Sequence, residues 1–441
     1  MKMNNKNLSD LFATFFNQVW RLISGPLLLL LIPLYLTETQ QGYWYLFGSI
    51  AALSTFADLG FSNIILQFSA HEFASLSFDE KGKLIGDEQR IKKSGSFFRF
   101  VVGWLSKMCS IVFPIIFVVG IFFFVRDGVF TEYIVPWCIY TVGSLINFFN
   151  NSILSYIEGM DQITKIQQSR LIVAVINTGV VVAGLLLRWN IYALSCAMIC
   201  SASFMFITIF KTFGVVISQV WKESHNFEYP WKKEILPLFK KYVLSFASGY
   251  FIFQVYTPLM HLFHGPIYGG KVGISLTLVN AMFSFASIWM YTVTPRLNMM
   301  IAQRDWIRLD KLFNKRMFFC LGTYIFIVIS FITFVFLFGR FEIIGKIISR
   351  FLPVSGLAIL IFSYFLQVFI NNWAIYLRGH KMEPYWHTSI LSAIWVLVVT
   401  LIAGMFLSPD YFFVGLLSSY IWGLPWTYLI YKRNKRVLHC E

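Results

Sequence analysis

Apolar residues run in blocks of twenty or more along most of the chain, and each block is closed by a cluster of charged residues. A helix needs about 20 mainly apolar residues to cross the hydrocarbon of a bilayer. A helix on a soluble core would instead alternate an apolar with a polar face. Reading the runs and the clusters that end them places twelve helices near 11–36, 43–69, 98–124, 133–156, 167–187, 191–212, 238–263, 272–295, 316–338, 353–377, 388–407 and 411–431. The pattern predicts an all-α integral membrane protein, and twelve spans leave no length for a large soluble domain. Lys2 and Lys6 precede the first run as in a secretory signal, but no small-residue cleavage site ends that run, which is read as a permanent span.

Composition agrees: of 441 residues, 57% are hydrophobic and 13% charged, against about 25% charged in soluble domains. The net charge of +15 acquires a membrane meaning once the spans are placed. With the N-terminus in the cytoplasm, 28 Lys and Arg border cytoplasmic segments, 6 lie in outer loops, and 2, Arg21 and Lys107, fall within spans. Basic residues accumulate on the cytoplasmic side of membrane proteins, so this bias orients the chain with both termini inside. Nucleic-acid binding is not needed to explain the charge.

The longest outer connection, near 339–352, is too short to build an external active site, so an enzyme is not expected. No nucleotide loop, paired His metal site or nucleophile with a base occurs, and neither a cofactor nor a metal is implied. Five cysteines fall inside apolar runs and Cys440 in the basic tail, where free thiols act as small hydrophobes. The basic connections containing Trp221, Trp231 and Trp306 are read as amphipathic segments on the inner membrane surface. A shift of 220 residues superposes Asn151, Tyr156 and Gly159 on Asn371, Tyr376 and Gly379. It suggests two halves: an N-terminal six-helix bundle over 1–213, an amphipathic linker over 214–237, and a C-terminal six-helix bundle with basic tail over 238–441.

Polar residues inside spans are the candidate functional groups, because a charge in hydrocarbon costs about 2.5 kcal/mol or more and faces a cavity or a partner. Arg21 shares one stripe with Asn17 and Ser24 ahead of Gly25-Pro26. Asp58, flanked by Ser54 and Ser62, is either a neutral or Arg-paired structural carboxylate or a proton or sodium coupling site. Lys107 either snorkels to the cytoplasmic surface or lines a cavity. Uncharged stripes follow in both halves: Asn147, Asn150 and Asn151; Asn280, Ser284, Ser287 and Tyr291; Gln367 and Asn371. Each alone reads as helix-to-helix hydrogen bonding; together they read as a wet central passage. Gln254 and His261 share a face near Pro258, His261 being read as structural.

Gly42-Tyr-Trp-Tyr-Leu-Phe-Gly48, Ala57-Asp-Leu-Gly-Phe-Ser-Asn63, Glu158-Gly159 and Thr294-Pro-Arg-Leu297, taken in order, resemble bacterial polysaccharide exporters of the O-antigen flippase type. These belong to the multidrug, oligosaccharidyl-lipid and polysaccharide exporter superfamily. The resemblance implies two six-helix bundles around a central cavity, alternating access, and a bacterial inner-membrane location. It implies a lipid-diphosphate-linked oligosaccharide as cargo, with membrane lipids and other polysaccharide-assembly proteins as partners. Such a cargo needs a cation for its diphosphate and polar groups for its sugars. On that reading Arg21, Lys107, Asn17, Asn147, Asn151, Asn280 and Asn371 bind substrate, and Asp58 is the ion-coupling residue. Multidrug cation export and flipping of a lipid-linked peptidoglycan precursor are the alternatives.

Overall fold

The computed structural model describes Phe16, Trp20 and residues 23–225, 227–380, 382 and 384–440. The chain is 86% helical and is a multi-pass membrane protein. Its helices are α1 (Ile23–Tyr35), α2 (Glu38–Ala51), α3 (Thr55–Asp58), α4 (Phe61–Phe73), α5 (Glu88–Arg126), α6 (Phe130–Gly159), α7 (Ile163–Leu186) and α8 (Tyr192–Glu223). They continue with α9 (Trp231–Phe253), α10 (Tyr256–Tyr291), α11 (Thr294–Ala302), α12 (Trp306–Phe338), α13 (Glu342–Ile348), α14 (Val354–Gly379), α15 (Trp386–Phe406) and α16 (Val414–Cys440). A short hairpin, β1 (Ser77–Phe78) with β2 (Leu84–Ile85), pairs antiparallel after α4.

Several helices combine into single spans. α2 to α4 form one path bent by 45° between Asp58 and Phe61. α10 is two helices end to end, broken at Gly265 (φ 84°, ψ 178°) just before Pro266. Its first part completes the span begun by α9, and residues 266–291 with α11 form the next. Among the described residues eight helices are long and apolar enough to cross a membrane, nine with the bent α2–α4 path counted as one, and α1 is a shorter apolar helix, an all-helical membrane fold compatible with about twelve helices.

The contacts divide the chain into two compact units. Unit 1 is Met1–Ser24 with Phe47–Ala247, and unit 2 is Gly25–Leu46 with Ser248–Glu441. In unit 1 the connections 74–87, 160–162 and 224–230 leave at one end, which carries most of the basic residues described in that unit. α5 is 39 residues long, about 58 Å at 1.5 Å per residue, and therefore overhangs a hydrocarbon layer of about 30 Å. That overhang captures the chain after α8. Trp231 is 2% exposed, its ring lies 4.8 Å from that of Phe97 at a tilt of 49°, and it donates its indole N–H to Ser96 Oγ at 3.0 Å. Its expected place on the membrane surface is thereby corrected, because the first turns of α5 offer a deeper apolar seat. Trp221 does stay exposed, with the Arg99 guanidinium 5.0 Å above its ring.

Unit 2 has its own core, in which Tyr256, Val279, Tyr324, Tyr364 and Phe413 are buried. α12 is the span least covered by protein: Phe318, Phe326 and Phe336 are 72%, 70% and 80% exposed. Trp306, expected at the headgroups, is stacked against the rings of His439 at 4.7 Å and His380 at 5.9 Å.

Equivalent details recur in the two units. Asp87 and Asp305 each cap a long helix, accepting from Gln89 N and Arg308 N. The last turns of α6 and α14 carry Tyr156 and Tyr376, both buried with bonded hydroxyls. Gly159 and Gly379 let the partner segment approach: an added Cβ would lie 2.6 Å from Ser69 Cβ at the first and 2.7 Å from Asn298 Oδ1 at the second. Those partner segments, α4 and α11, each follow a break in their span, at Leu59–Gly60 and at Thr292–Val293. Pro295 stands in the first turn of α11, where a missing N–H costs nothing.

Candidate functional site

Asp58 sits at the break in the second span. Leu59 (φ 45°) and Gly60 (φ 81°) both turn left-handed, which strips the first N–H groups of α4 of helical partners. The Asp58 carboxylate takes them over: Oδ2 accepts from Gly60 N at 3.1 Å, and Oδ1 from Ser62 N at 3.0 Å and Ser62 Oγ at 2.5 Å. The acid is thus a capping group, and of its two flanking serines the structure brings Ser62 to it. Replacing Asp58 by Ala should lower stability by about 1–2 kcal/mol in thermal unfolding, the usual cost of a lost cap. Asp58→Asn keeps one acceptor and should lose less, which lets transport coupling be measured separately from folding.

In unit 1, Lys107 is the middle residue of α5 and is exposed. It lies on a stripe of small and polar residues, with Gly103, Ser106 and Ser110 at i−4, i−1 and i+3. Ser106 and Ser110 return their hydroxyls to carbonyls one turn back, at 2.8 Å each. Among the described residues Lys107 has no acidic partner. The asparagines of α6 separate: Asn150 is fully buried and donates to Ala202 O at 2.8 Å, tying α6 to α8. Asn147 and Asn151 remain accessible, with Ser155 one turn further. Asn17 and Arg21 lie outside the described residues.

In unit 2, Asn280, Ser284 and Tyr291 form an exposed stripe along α10, whereas Ser287 is buried. Tyr291 reaches across to α14, its hydroxyl 3.5 Å from Asn371 Oδ1. One turn away Gln367 accepts from Tyr420 OH at 2.9 Å. The expected stripes of the eighth and tenth spans therefore meet. His261 is 1% exposed and its ring lies edge-on to Tyr43 at 5.1 Å.

Two features escape sequence reasoning. On α4, Asn63, Gln67 and His71 form an exposed stripe at i, i+4 and i+8; the spacing was readable, but the apolar residues between masked it. On α12, Arg316 stands 5.8 Å from the Trp289 ring, its Nε buried and without a hydrogen-bond partner. The hydropathy pattern starts the span 316–338 at that residue and so reads it as a charge at the span's edge. Acids near the ends of spanning helices are paired: Glu72 with Lys93 at 2.7 Å, Glu158 with Arg170 at 2.9 Å, and Asp310 with Lys435 at 2.7 Å. No group of three or more His, Cys, Asp or Glu suited to a metal occurs among the described residues.

Compared by sequence, the chain matches no family model and no curated protein. Its fold is similar to solved transporters. A MATE structure in the straight conformation aligns over 100% of this chain and 98% of its own with TM-score 0.60 and 13% identity. An inward-facing multidrug resistance MATE family transporter of the MOP superfamily aligns over 98% of each chain with TM-score 0.57 and 13% identity. An outward-facing one gives TM-score 0.53 at 13% identity, covering 98% of this chain and 96% of that one. At this identity the likeness establishes a shared fold.

Proposed function

We propose that this protein is a flippase, which moves a polyprenyl-diphosphate-linked oligosaccharide from the cytoplasmic to the outer leaflet by alternating access, in a bacterial inner membrane. The carrying observation is the charge balance within the spans. Lys107 and Arg316 have no acid beside them among the described residues, while Asp58, the one carboxylate deep in a described span, is bonded to its own turn. Unpaired cations without free carboxylates suit an anionic cargo. The diphosphate head follows the cation, and the sugars exchange water for Asn147 and Asn151 of unit 1 and for Asn280 and Asn371 of unit 2; Arg21 and Asn17, outside the described residues, belong to the same proposed set of substrate-binding residues. The isoprenoid tail stays in lipid. No bond is broken.

The fold likeness favours a second reading, export of cationic drugs, since solved proteins of this fold include multidrug resistance transporters. Reconstituted vesicles separate the two. Flipping of defined lipid-diphosphate oligosaccharides, followed by their accessibility on each side under imposed proton and sodium gradients, is the expected result. Cation efflux without such flipping would replace the proposal.

A further inference from the structure

The last two helices of unit 2, α15 and α16, lie side by side: Gly415 meets Thr400, Gly423 meets Ser392 and Thr427 meets Tyr385, the register of an antiparallel pair. They are not equally close along their length. A Cβ on Gly415 would lie 2.7 Å from Thr400 Oγ1, whereas one on Gly423, two turns on, would meet only Ser392 Oγ at 3.8 Å. Toward the basic tail the pair is held again, where Tyr385 OH donates to Thr427 O at 3.2 Å. Over the looser stretch lies a groove of about 490 Å³, lined by Leu391, Ile394, Trp395 and Val398 of α15 and by Trp422 and Trp426 of α16. Its volume is that of a small-molecule site. Trp395 gives its indole N–H to Ser418 Oγ at 3.0 Å, which leaves its ring as an apolar wall, and the rings of Trp422 and Trp426 stand 6.0 Å apart.

What the groove takes follows from its charge and its depth. On α16 the face bearing Trp422, Trp426 and Leu429 continues to Arg433, at i, i+4, i+7 and i+11. On α15 the face bearing Val398, Ile394 and Leu391 leads back to His387 by the same steps. Lys432 and Arg433 are exposed and have no acidic partner among the described residues, whereas nearby Lys435 is taken by Asp310 at 2.7 Å. Measured at 1.5 Å per residue from Trp386 and from Arg433, the lining begins about 8 Å from the basic end and finishes by about 18 Å, close to half of a hydrocarbon layer of about 30 Å. Trp395 and Trp422 lie about 14 and 16 Å in, deeper than the interfacial belt where tryptophan usually sits. A helix of a partner would cross both leaflets. A basic mouth over an apolar slot one leaflet deep fits a lipid with an anionic head. We propose that the groove binds one anionic phospholipid in the leaflet at the basic end, with an acyl chain between the tryptophans and the phosphate on Arg433 and Lys432. A guanidinium pairs with two phosphate oxygens at once, which a zwitterionic head offers less freely because its own cation competes. The inference is independent of the flippase reading.

The test is photo-cross-linking of the full-length protein in nanodiscs, with phosphatidylglycerol or phosphatidylcholine carrying a diazirine on one acyl chain. Adducts at residues 391–398 and 422–426 are counted against those at Phe326 on α12, an exposed position that reports bulk lipid. The phosphatidylglycerol probe should favour the groove over the phosphatidylcholine probe by about five- to thirtyfold, the effect of one or two basic residues at the membrane surface. Arg433→Gln should remove most of that preference and Arg433→Lys should keep much of it. Ile394→Trp, which fills the groove and leaves the basic end in place, should lower groove adducts from both probes to the Phe326 level. Equal groove labelling by the two probes overturns the proposal, as does a preference that survives Lys432→Gln with Arg433→Gln. Cross-links to a second copy, with the groove shielded from both probes, would make it a protein interface and overturn it. Loss of the phosphatidylglycerol adducts on adding polyprenyl phosphate at a tenth of the probe's concentration would reassign the groove to an isoprenoid tail and overturn it equally.

Discussion

Replacing Lys107 by Gln should reduce flipping of a diphosphate-linked cargo by about ten- to a hundredfold while the protein still inserts and folds. The magnitude follows from the chemistry: a charge-assisted hydrogen bond is worth about 1.5–3 kcal/mol, and each 1.4 kcal/mol is a factor of ten. Lys107 is exposed and has no acid beside it among the described residues, so its removal breaks no ion pair within the fold. Folding should be nearly untouched, with the unfolding temperature within about 2 °C of the parent, as for surface substitutions. Lys107→Arg keeps the charge and should retain most of the flipping. Vesicle assays decide the matter: full flipping by Lys107→Gln would remove this residue from the account, and an equal loss in Lys107→Arg would show that shape rather than charge matters.

Replacing Gly60 by Ala should destabilise the protein by about 3 kcal/mol. Two causes add. A side chain in the left-handed region costs about 1–2 kcal/mol, and Gly60 has φ 81°. The added Cβ would also fall 2.7 Å from the Phe246 ring and 3.2 Å from Tyr242 Cβ on α9, an overlap of the kind that costs about 1–3 kcal/mol. Gly48→Ala on α2 is the control, since nothing lies within 4 Å of the added atom and a helical glycine gains from the change. The measurement is thermal unfolding of the solubilised protein. Equal midpoints for Gly60→Ala and the parent would show that the break between α3 and α4 relaxes freely and does not fix the path of the second span.

Much of this architecture is legible in the sequence because lipid imposes a coarse rule: twenty apolar residues, then charge. Spans such as 133–156, inside α6, and 353–377, which matches α14 to within two residues, are found for that reason. The tilt of a polar residue around its helix is finer information. Asn147, Asn150 and Asn151 share an arc, yet only Asn150 faces Ala202 on α8, a distinction set by packing with a distant segment. Trp231 shows the same limit. Beside Lys232 and Lys233 it reads as an interfacial residue, and only the overhang of α5 supplies the seat that buries it. Asp58 shows it for chemistry: the acid is visible, but its role as a cap depends on Leu59 turning left-handed, which no propensity favours. Arg316 was lost to a boundary, since a helix that begins outside the membrane carries its charged turns into it without interruption.

The bare flank of α12 has a physical consequence of its own. With Phe318, Phe326 and Phe336 facing outward, this helix meets acyl chains along some 22 residues, about 33 Å. Thickness mismatch costs fractions of a kcal/mol per ångström and falls first on the element with the fewest protein neighbours. In short-chain lipids α12 should therefore tilt before any other span, which makes acyl length a handle on the packing of unit 2.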